Sequence, residues 1–275
     1  MIKNRKTTKT NPSSVSKPKG IESRITPMAD IPIELNILLY GRSGTGKTTL
    51  IGSAPKPLLI LDIREKGTTS IRNIKDTFVL SLHSWKDFEE AYWFLMSEEG
   101  QKYKTIAIDT ITQLQEFALE QIRGSAKGLV SRKTWGEASG LMKTWIMLFR
   151  DLPMNVIFTA QDRQTKGSDE DDEDMDSAII PEVGPYVMPS VAKILNAAVD
   201  IIGNTFIREK ITVTKDPKTN KKTESKKMEY CLRVGPHPIF VTKFRTPAGG
   251  GENIPPVLVG PTFKDLIDLS LKAGK

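Results

Sequence analysis

Gly41-Arg42-Ser43-Gly44-Thr45-Gly46-Lys47-Thr48 is the stretch of this chain whose residue types and spacing can do chemistry. It meets the phosphate-binding pattern G-x-x-x-x-G-K-[ST] at every fixed position. Four fixed positions arise by chance in only about one chain in a hundred of this length. The glycines let the backbone curl with its N–H groups turned inward, and the helix start that follows adds partial positive charge. Lys47 then reaches the β- and γ-phosphates of ATP, the Thr48 hydroxyl ligates Mg2+, and Thr49 continues the same helical turn. A mere glycine-rich turn between strand and helix would not require Lys-Thr after its last glycine.

A second carboxylate site separates the kinds of enzyme that use such a loop. Asp109 ends the apolar run Thr105-Ile106-Ala107-Ile108, where a Mg2+-orienting carboxylate belongs. The residue after it is Thr110, not the glutamate that would serve as a neighbouring base. The general base, if there is one, comes from elsewhere, and the candidate sits past the neighbouring strand, in Leu61-Asp62-Ile63-Arg64-Glu65-Lys66-Gly67.

The elements that must position these groups are legible as periodicity. Residues 33–40, 58–62, 77–82, 105–109 and 155–161 are short apolar runs, as expected of parallel strands buried on both faces. Between them, helical stripes gather Phe88, Ala91, Tyr92 and Leu95, then Leu114, Phe117, Ala118 and Ile122, then Ala138, Leu141, Met142, Trp145 and Phe149. Trp85, Trp93 and Trp145 fall on such stripes and are expected in the core. Residues 162–189 show no periodicity and hold the acidic run Asp169-Glu170-Asp171-Asp172-Glu173-Asp174, so a long loop is expected there. Helix resumes with Val191, Ile194, Leu195 and Ala198, strands cover about 200–214, 228–234 and 239–244, and a last helix covers 263–271. The alternation predicts an α/β fold with a mainly parallel central sheet flanked by helices and antiparallel strands toward the C-terminus.

At 275 residues and a formal charge of +7, the chain has room for a full core and a balance that suits a polyanionic partner. The single cysteine, Cys231, excludes an intramolecular disulfide and a cysteine-rich metal site. No apolar run reaches membrane-spanning length, so no membrane is expected and the cytoplasm is the expected compartment, the host's if the chain is phage-encoded. Residues 1–30 read as a disordered tail with seven basic residues against Glu22 and Asp30, ahead of one domain at 31–275. A second basic stretch, with Arg208, Lys210, Lys215, Lys218, Lys221, Lys222, Lys226 and Lys227, reads as a hairpin that lacks interleaved aromatics for base stacking. His83 and His237 suggest no metal pair.

Together these residues resemble the RecA superfamily, and within it the small phage-encoded ATPases linked to single-strand annealing and recombination, over about residues 31–272. Ile106-Ala107-Ile108-Asp109-Thr110 is similar to the family's Mg2+ strand, and Trp135-Gly136 also matches. Residues 62–67 resemble the acidic segment with the catalytic glutamate, which implies Glu65; the spacing departs from D-x-E by one residue because Arg64 stands in the expected place, so Asp62 stays a rival. The resemblance of Phe158-Thr159-Ala160-Gln161 implies that Gln161 senses the γ-phosphate at the head of a DNA-contacting loop. Lys243-Phe244-Arg245 resembles the K-x-R element of ring and filament members, which implies that Lys243 and Arg245 act on a neighbour's ATP.

What this implies is a RecA-like ATPase that uses ATP and Mg2+, self-associates into a ring or filament, and acts on single-stranded DNA in recombination, annealing or replication, with a single-strand-binding or replication partner. The rival readings are a DNA-translocating motor or helicase, and a nucleotide-dependent binding module with little turnover. A small-molecule kinase ranks last, because no acceptor-binding lid is evident.

Overall fold

A computed structural model of the chain describes residues 25–27, 30–31, 33–124, 130–166, 181–215, 222–246 and 253–272. The acidic run at 169–174, the tip of the basic hairpin and all but a few tail residues lie outside these. The chain divides into residues 1–33 and a unit of residues 34–275, which carries every element below.

Four strands form the centre: β1 (Asn36–Tyr40), β2 (Leu58–Ile63), β4 (Thr105–Asp109) and β5 (Asn155–Ala160). They are rich in Leu, Ile and Val and all but Asn36 is buried, as parallel strands covered on both faces must be. The order is β1-β5-β4-β2, all parallel. Register aligns Tyr40 with Ala160 and Asp62 with Asp109, so the carboxyl ends of the four strands share one edge. Ligands of open α/β sheets bind at that edge.

Alternate side chains feed two cores. On one face Leu38, Leu61, Ile108 and Phe158 pack with α2 (Trp85–Met96), α3 (Ile111–Arg123), α4 (Arg132–Arg150) and α5 (Pro189–Ala198). On the other Ile37, Ile60 and Ile157 meet α1 (Lys47–Gly52) and α6 (Phe263–Lys272). Local sequence sets the helix starts: Ser84 and Asp87 form a reciprocal capping box at α2, and Ser131 caps α4. His83 donates its backbone N–H to the same Asp87 carboxylate.

Three expectations need correction. β3 (Thr77–Leu82) pairs only with β2 and is an edge strand, so Phe78, Val79 and Leu80 are exposed rather than buried on both faces. Trp93 is 65% exposed, whereas Trp85 is buried and Trp145 packs beside it. The stretch after Gln161 is not loop throughout, because β6 (Asp162–Lys166) and β7 (Pro181–Pro185) pair as a small antiparallel sheet of their own.

On the far side of β1 lies β8 (Ile201–Lys215), parallel to it up to Asn204. Beyond that pairing β8 runs on with β9 (Lys222–Arg233) as an antiparallel ribbon, reaching about 36 Å further at about 3.3 Å per residue. One face of it presents Ile207, Tyr230, Met228, Ile211 and Val213 to solvent. The opposite face carries Arg208 and Lys210 against Glu229. β10 (Lys243–Phe244) and β11 (Val257–Val259) complete the sheet among the described residues. No described helix is long and apolar enough to cross a membrane.

Candidate active site

β1 delivers the chain into the loop at residues 41–46. Gly41 has φ 152°, and a Cβ there would stand 2.4 Å from the Thr205 carbonyl oxygen. Gly46 has φ 93° at the start of α1, a left-handed conformation that favours glycine. The loop is braced from inside and from β8. Thr45 donates its hydroxyl to the Arg42 carbonyl (2.8 Å) and lies 2.7 Å from the Thr205 hydroxyl. Thr205 and Asn204 also donate to the Tyr40 carbonyl.

A cavity of about 460 Å3 opens over this loop, lined by Ser43, Gly44, Gly46, Lys47, Thr48, Thr49, Glu65, Asp109, Thr110 and Gln161, among others. The Lys47 ammonium donates to the Gly41 and Arg42 carbonyls at 2.6 and 2.8 Å. Burial lowers its pKa below the ordinary lysine value, opposed by Asp109, Glu65 and Asp162. Asp109 is buried at the end of β4 and accepts a hydrogen bond from Thr159 at 2.6 Å. Its pKa is raised, first by burial, while Thr159 and Lys47 act the other way.

The two rival carboxylates take different places. Asp62 is buried, and its Oδ1 accepts the backbone N–H groups of Glu65 and Lys66, both at 3.1 Å. It shapes the turn. Glu65 lines the cavity and accepts from the Thr110 hydroxyl at 3.3 Å. Arg64, the residue that interrupts the expected spacing, has φ 62° and turns away. Its guanidinium makes a two-pronged bond to Glu120 and stacks 4.4 Å over the Phe117 ring. The turn therefore brings Glu65 to the cavity despite the extra residue.

Gln161 follows β5 and lines the same cavity, with its N–H held by the Thr112 hydroxyl and its carbonyl by the Tyr186 N–H. Lys243 and Arg245 are not there. Lys243 donates to the carbonyls of Asn196, Ala197 and Val199, and Arg245 to Asp200 and the Ala197 carbonyl. In the single chain both cap the C-terminal end of α5, where helices leave carbonyls unpaired.

The donor set suits a magnesium ion. The Thr48 hydroxyl and Asp109 carboxylate are hard oxygen donors on one cavity, and such ions need only one or two protein oxygens beside phosphate and water. Among the described residues there is no cluster of three or more His, Cys, Asp or Glu placed to hold a metal ion.

The AAA-domain family profile, AAA_24, matches residues 33–246, which span the loop, both acidic segments and the ribbon. The chain belongs to that family. It is a P-loop protein of the AAA-domain family with a mainly parallel central sheet flanked by helices. Among solved structures it is similar to the flagellar accessory protein FlaH of Methanocaldococcus jannaschii (10% identity, TM-score 0.37, 74% of this chain and 78% of that one). It is also similar to the RadB recombinase (14%, 0.35, 72% and 86%). A third is the genome packaging NTPase B204 of Sulfolobus turreted icosahedral virus 2, solved with ATP-gammaS (16%, 0.33, 72% and 91%). No curated protein is significantly similar to the chain in sequence.

Sequence reasoning missed Thr205, Thr159 and Tyr230, the last of which also lines the cavity. Thr159 stood inside a segment already singled out, one residue from the strand end. Thr205 and Tyr230 carried no local signal, since they reach the loop only by strand pairing more than 150 residues away from it in sequence.

Proposed function

We propose that the chain binds ATP with Mg2+ in the cavity over residues 41–49 and transfers the γ-phosphoryl group to water, using the turnover to act on single-stranded DNA. The observation that carries this reading is that Lys47, Thr48, Asp109 and Glu65, drawn from three separate segments, line one cavity. Lys47 exchanges its carbonyl partners for β- and γ-phosphate oxygens. Thr48 and Asp109 hold the metal ion, which when bound neutralises charge on the transferring phosphate. Glu65, set by Thr110, accepts the proton of the attacking water, and Gln161 contacts the γ-phosphate from the end of β5. Asp62 keeps the turn in shape.

Single-stranded DNA as partner is supported by the basic balance of the chain and by its resemblance to annealing and recombination ATPases. Cross-strand pairing of Arg208, Lys210 and Lys226 with Glu229 and Glu209 offsets part of the ribbon's charge, so the tail is expected to share the contact. Lys243 and Arg245 serve a neighbouring subunit only after leaving the α5 carbonyls. Mixing Arg245→Ala with Lys47→Ala tests that role: recovered turnover supports action in trans, and none, with co-assembly shown, refutes it.

The deciding experiment is ATP hydrolysis over a protein-concentration series, with and without single-stranded DNA. Lys47→Ala is expected to lose at least about a hundredfold in turnover. Turnover unchanged in that variant sinks the reading. Tight ATP binding without turnover in the wild type leaves a nucleotide-dependent binding module instead.

A further inference from the structure

The buried tyrosine at the end of β1 touches two parts of the molecule at once. Tyr40 pairs with Ala160 of β5 and stands directly before Gly41, whose N–H donates to the Ala160 carbonyl at 3.3 Å. Its ring is fully buried, in the core that also holds Leu38, Phe158 and Val187. A phenylalanine would fill that place as well, yet the side chain carries a hydroxyl, and a buried hydroxyl needs a partner. It finds one outside the main sheet. The Tyr40 Oη donates to the carbonyl of Val183, in β7, at 3.0 Å. Burial pushes the pKa of the phenol up, so the group stays protonated and donates.

Val183 is also held from its other side. Its N–H donates to the Ile239 carbonyl at 2.7 Å, and its carbonyl accepts a second hydrogen bond, from the Val241 N–H, at 2.9 Å. Three residues on, the Tyr186 N–H donates to the Gln161 carbonyl at 2.7 Å, and the Thr112 hydroxyl that holds the Gln161 N–H donates to the Tyr186 carbonyl at 3.0 Å. The main chain is therefore fixed on both sides of Gln161: by Gly41 at the residue before it, and by β7 and Tyr186 after it. We propose that Tyr40 is a positioning residue, which ties β7 to the end of β1 and so sets where Gln161 stands over the phosphate loop. That role rests on the reading above of Gln161 as the group that contacts the γ-phosphate. A displacement of about 1 Å at such a contact costs on the order of a hundredfold in rate, so a hydrogen bond away from the chemistry carries weight there.

The test uses Tyr40→Phe, which keeps the ring in the core and removes one donor, while Val241 still satisfies the Val183 carbonyl. Turnover of Mg-ATP is expected to fall about tenfold, the order of one net hydrogen bond, with Mg-ADP affinity by calorimetry within about twofold of wild type. ADP lacks the γ-phosphate and so does not report on Gln161, whereas damage to the phosphate loop would weaken both nucleotides together. The second arm is a cycle with Gln161→Ala. Added to that variant, Tyr40→Phe is expected to cost less than about a further twofold, because nothing is left for it to position. Normal turnover in Tyr40→Phe beside an impaired Gln161→Ala overturns the proposal and leaves the reading of Gln161 standing. So does an ADP affinity that falls as far as turnover, or a double variant that loses both factors multiplied. Normal turnover in Gln161→Ala overturns the reading of Gln161 and this role with it. In a wild type that binds ATP without turnover, the comparison is made on the affinity for ATP relative to ADP, and a ratio unchanged by Tyr40→Phe refutes the role. A wild type that binds neither nucleotide refutes both readings.

Discussion

Strands β1, β2, β4 and β5 bury both faces, whereas β8 and β9 leave the body of the sheet after Asn204 and carry Ile207, Ile211, Val213 and Met228 in the open. The two regions meet at the loop of residues 41–46, and each contributes what the other cannot. Dry strand ends hold Asp109 and Asp62 at fixed positions with hydrogen bonds already made. The ribbon holds its charges near water, paired across strands where each pair contributes little. What it adds is shape: Thr205 braces the loop, and Tyr230 forms a wall of the cavity. The comparison teaches that the buried strands fix the carboxylates of the site, while β8 and β9 contribute to its shape.

The comparison breaks first on stability. Phe158→Ala, in the middle of β5, is expected to cost about 3–5 kcal/mol in urea unfolding, because it empties a fully packed site between strand and helices. A loss below 1 kcal/mol, on the order of a surface change, would mean that the parallel half is not the rigid part.

Next comes turnover. Glu65→Gln is expected to lower hydrolysis at least about a hundredfold while leaving nucleotide affinity and melting temperature near wild type. Asp62→Ala is expected to show the reverse emphasis, with about 1 kcal/mol or more of lost stability from two unpaired N–H groups. If Glu65→Gln turns over normally and Asp62→Asn does not, the roles are exchanged.

Asp109→Asn sharpens the same contrast with opposite signs in function and stability. Folding raises the pKa of Asp109 above its ordinary 3.8, so the ionised form is penalised in the native state. That penalty is absent below the unfolded value and complete once pH exceeds the folded one. The amide oxygen can still accept from Thr159, so the nucleotide-free variant is expected to melt higher than wild type at about pH 7, with the gap closing toward about pH 4. Magnesium-dependent turnover is expected to be lost. A gap that widens on acidification would contradict the raised pKa.

The smallest effect belongs to the ribbon. Ile211→Ala is expected to change stability by no more than about 0.5 kcal/mol, since 55% of the residue is already in water. A cost of several kcal/mol in a concentrated solution that vanishes on dilution would show that a second copy covers this face.

The sequence by itself determined the phosphate loop, the four buried strands and Asp109 at the end of one of them. These are short-range facts: a motif of eight residues, a run of Ile and Leu, a carboxylate where the run stops. Tertiary structure decided what depends on pairing between distant segments. The apolar run 77–82 looked like its buried neighbours, and only its place at the end of the strand order exposes it. Which of Asp62 and Glu65 lines the cavity could not be read from spacing, because it turns on Arg64 swinging to Glu120 and Phe117 and on two backbone N–H groups claiming Asp62. Lys243 and Arg245 carry a recognisable spacing, yet what they touch in the single chain is set by where α5 ends. Thr205 and Tyr230 carried no signal at all: a threonine and a tyrosine in a long strand become part of a site only when register places them beside Gly41 and Gly46, and register is fixed by the packing of the whole sheet.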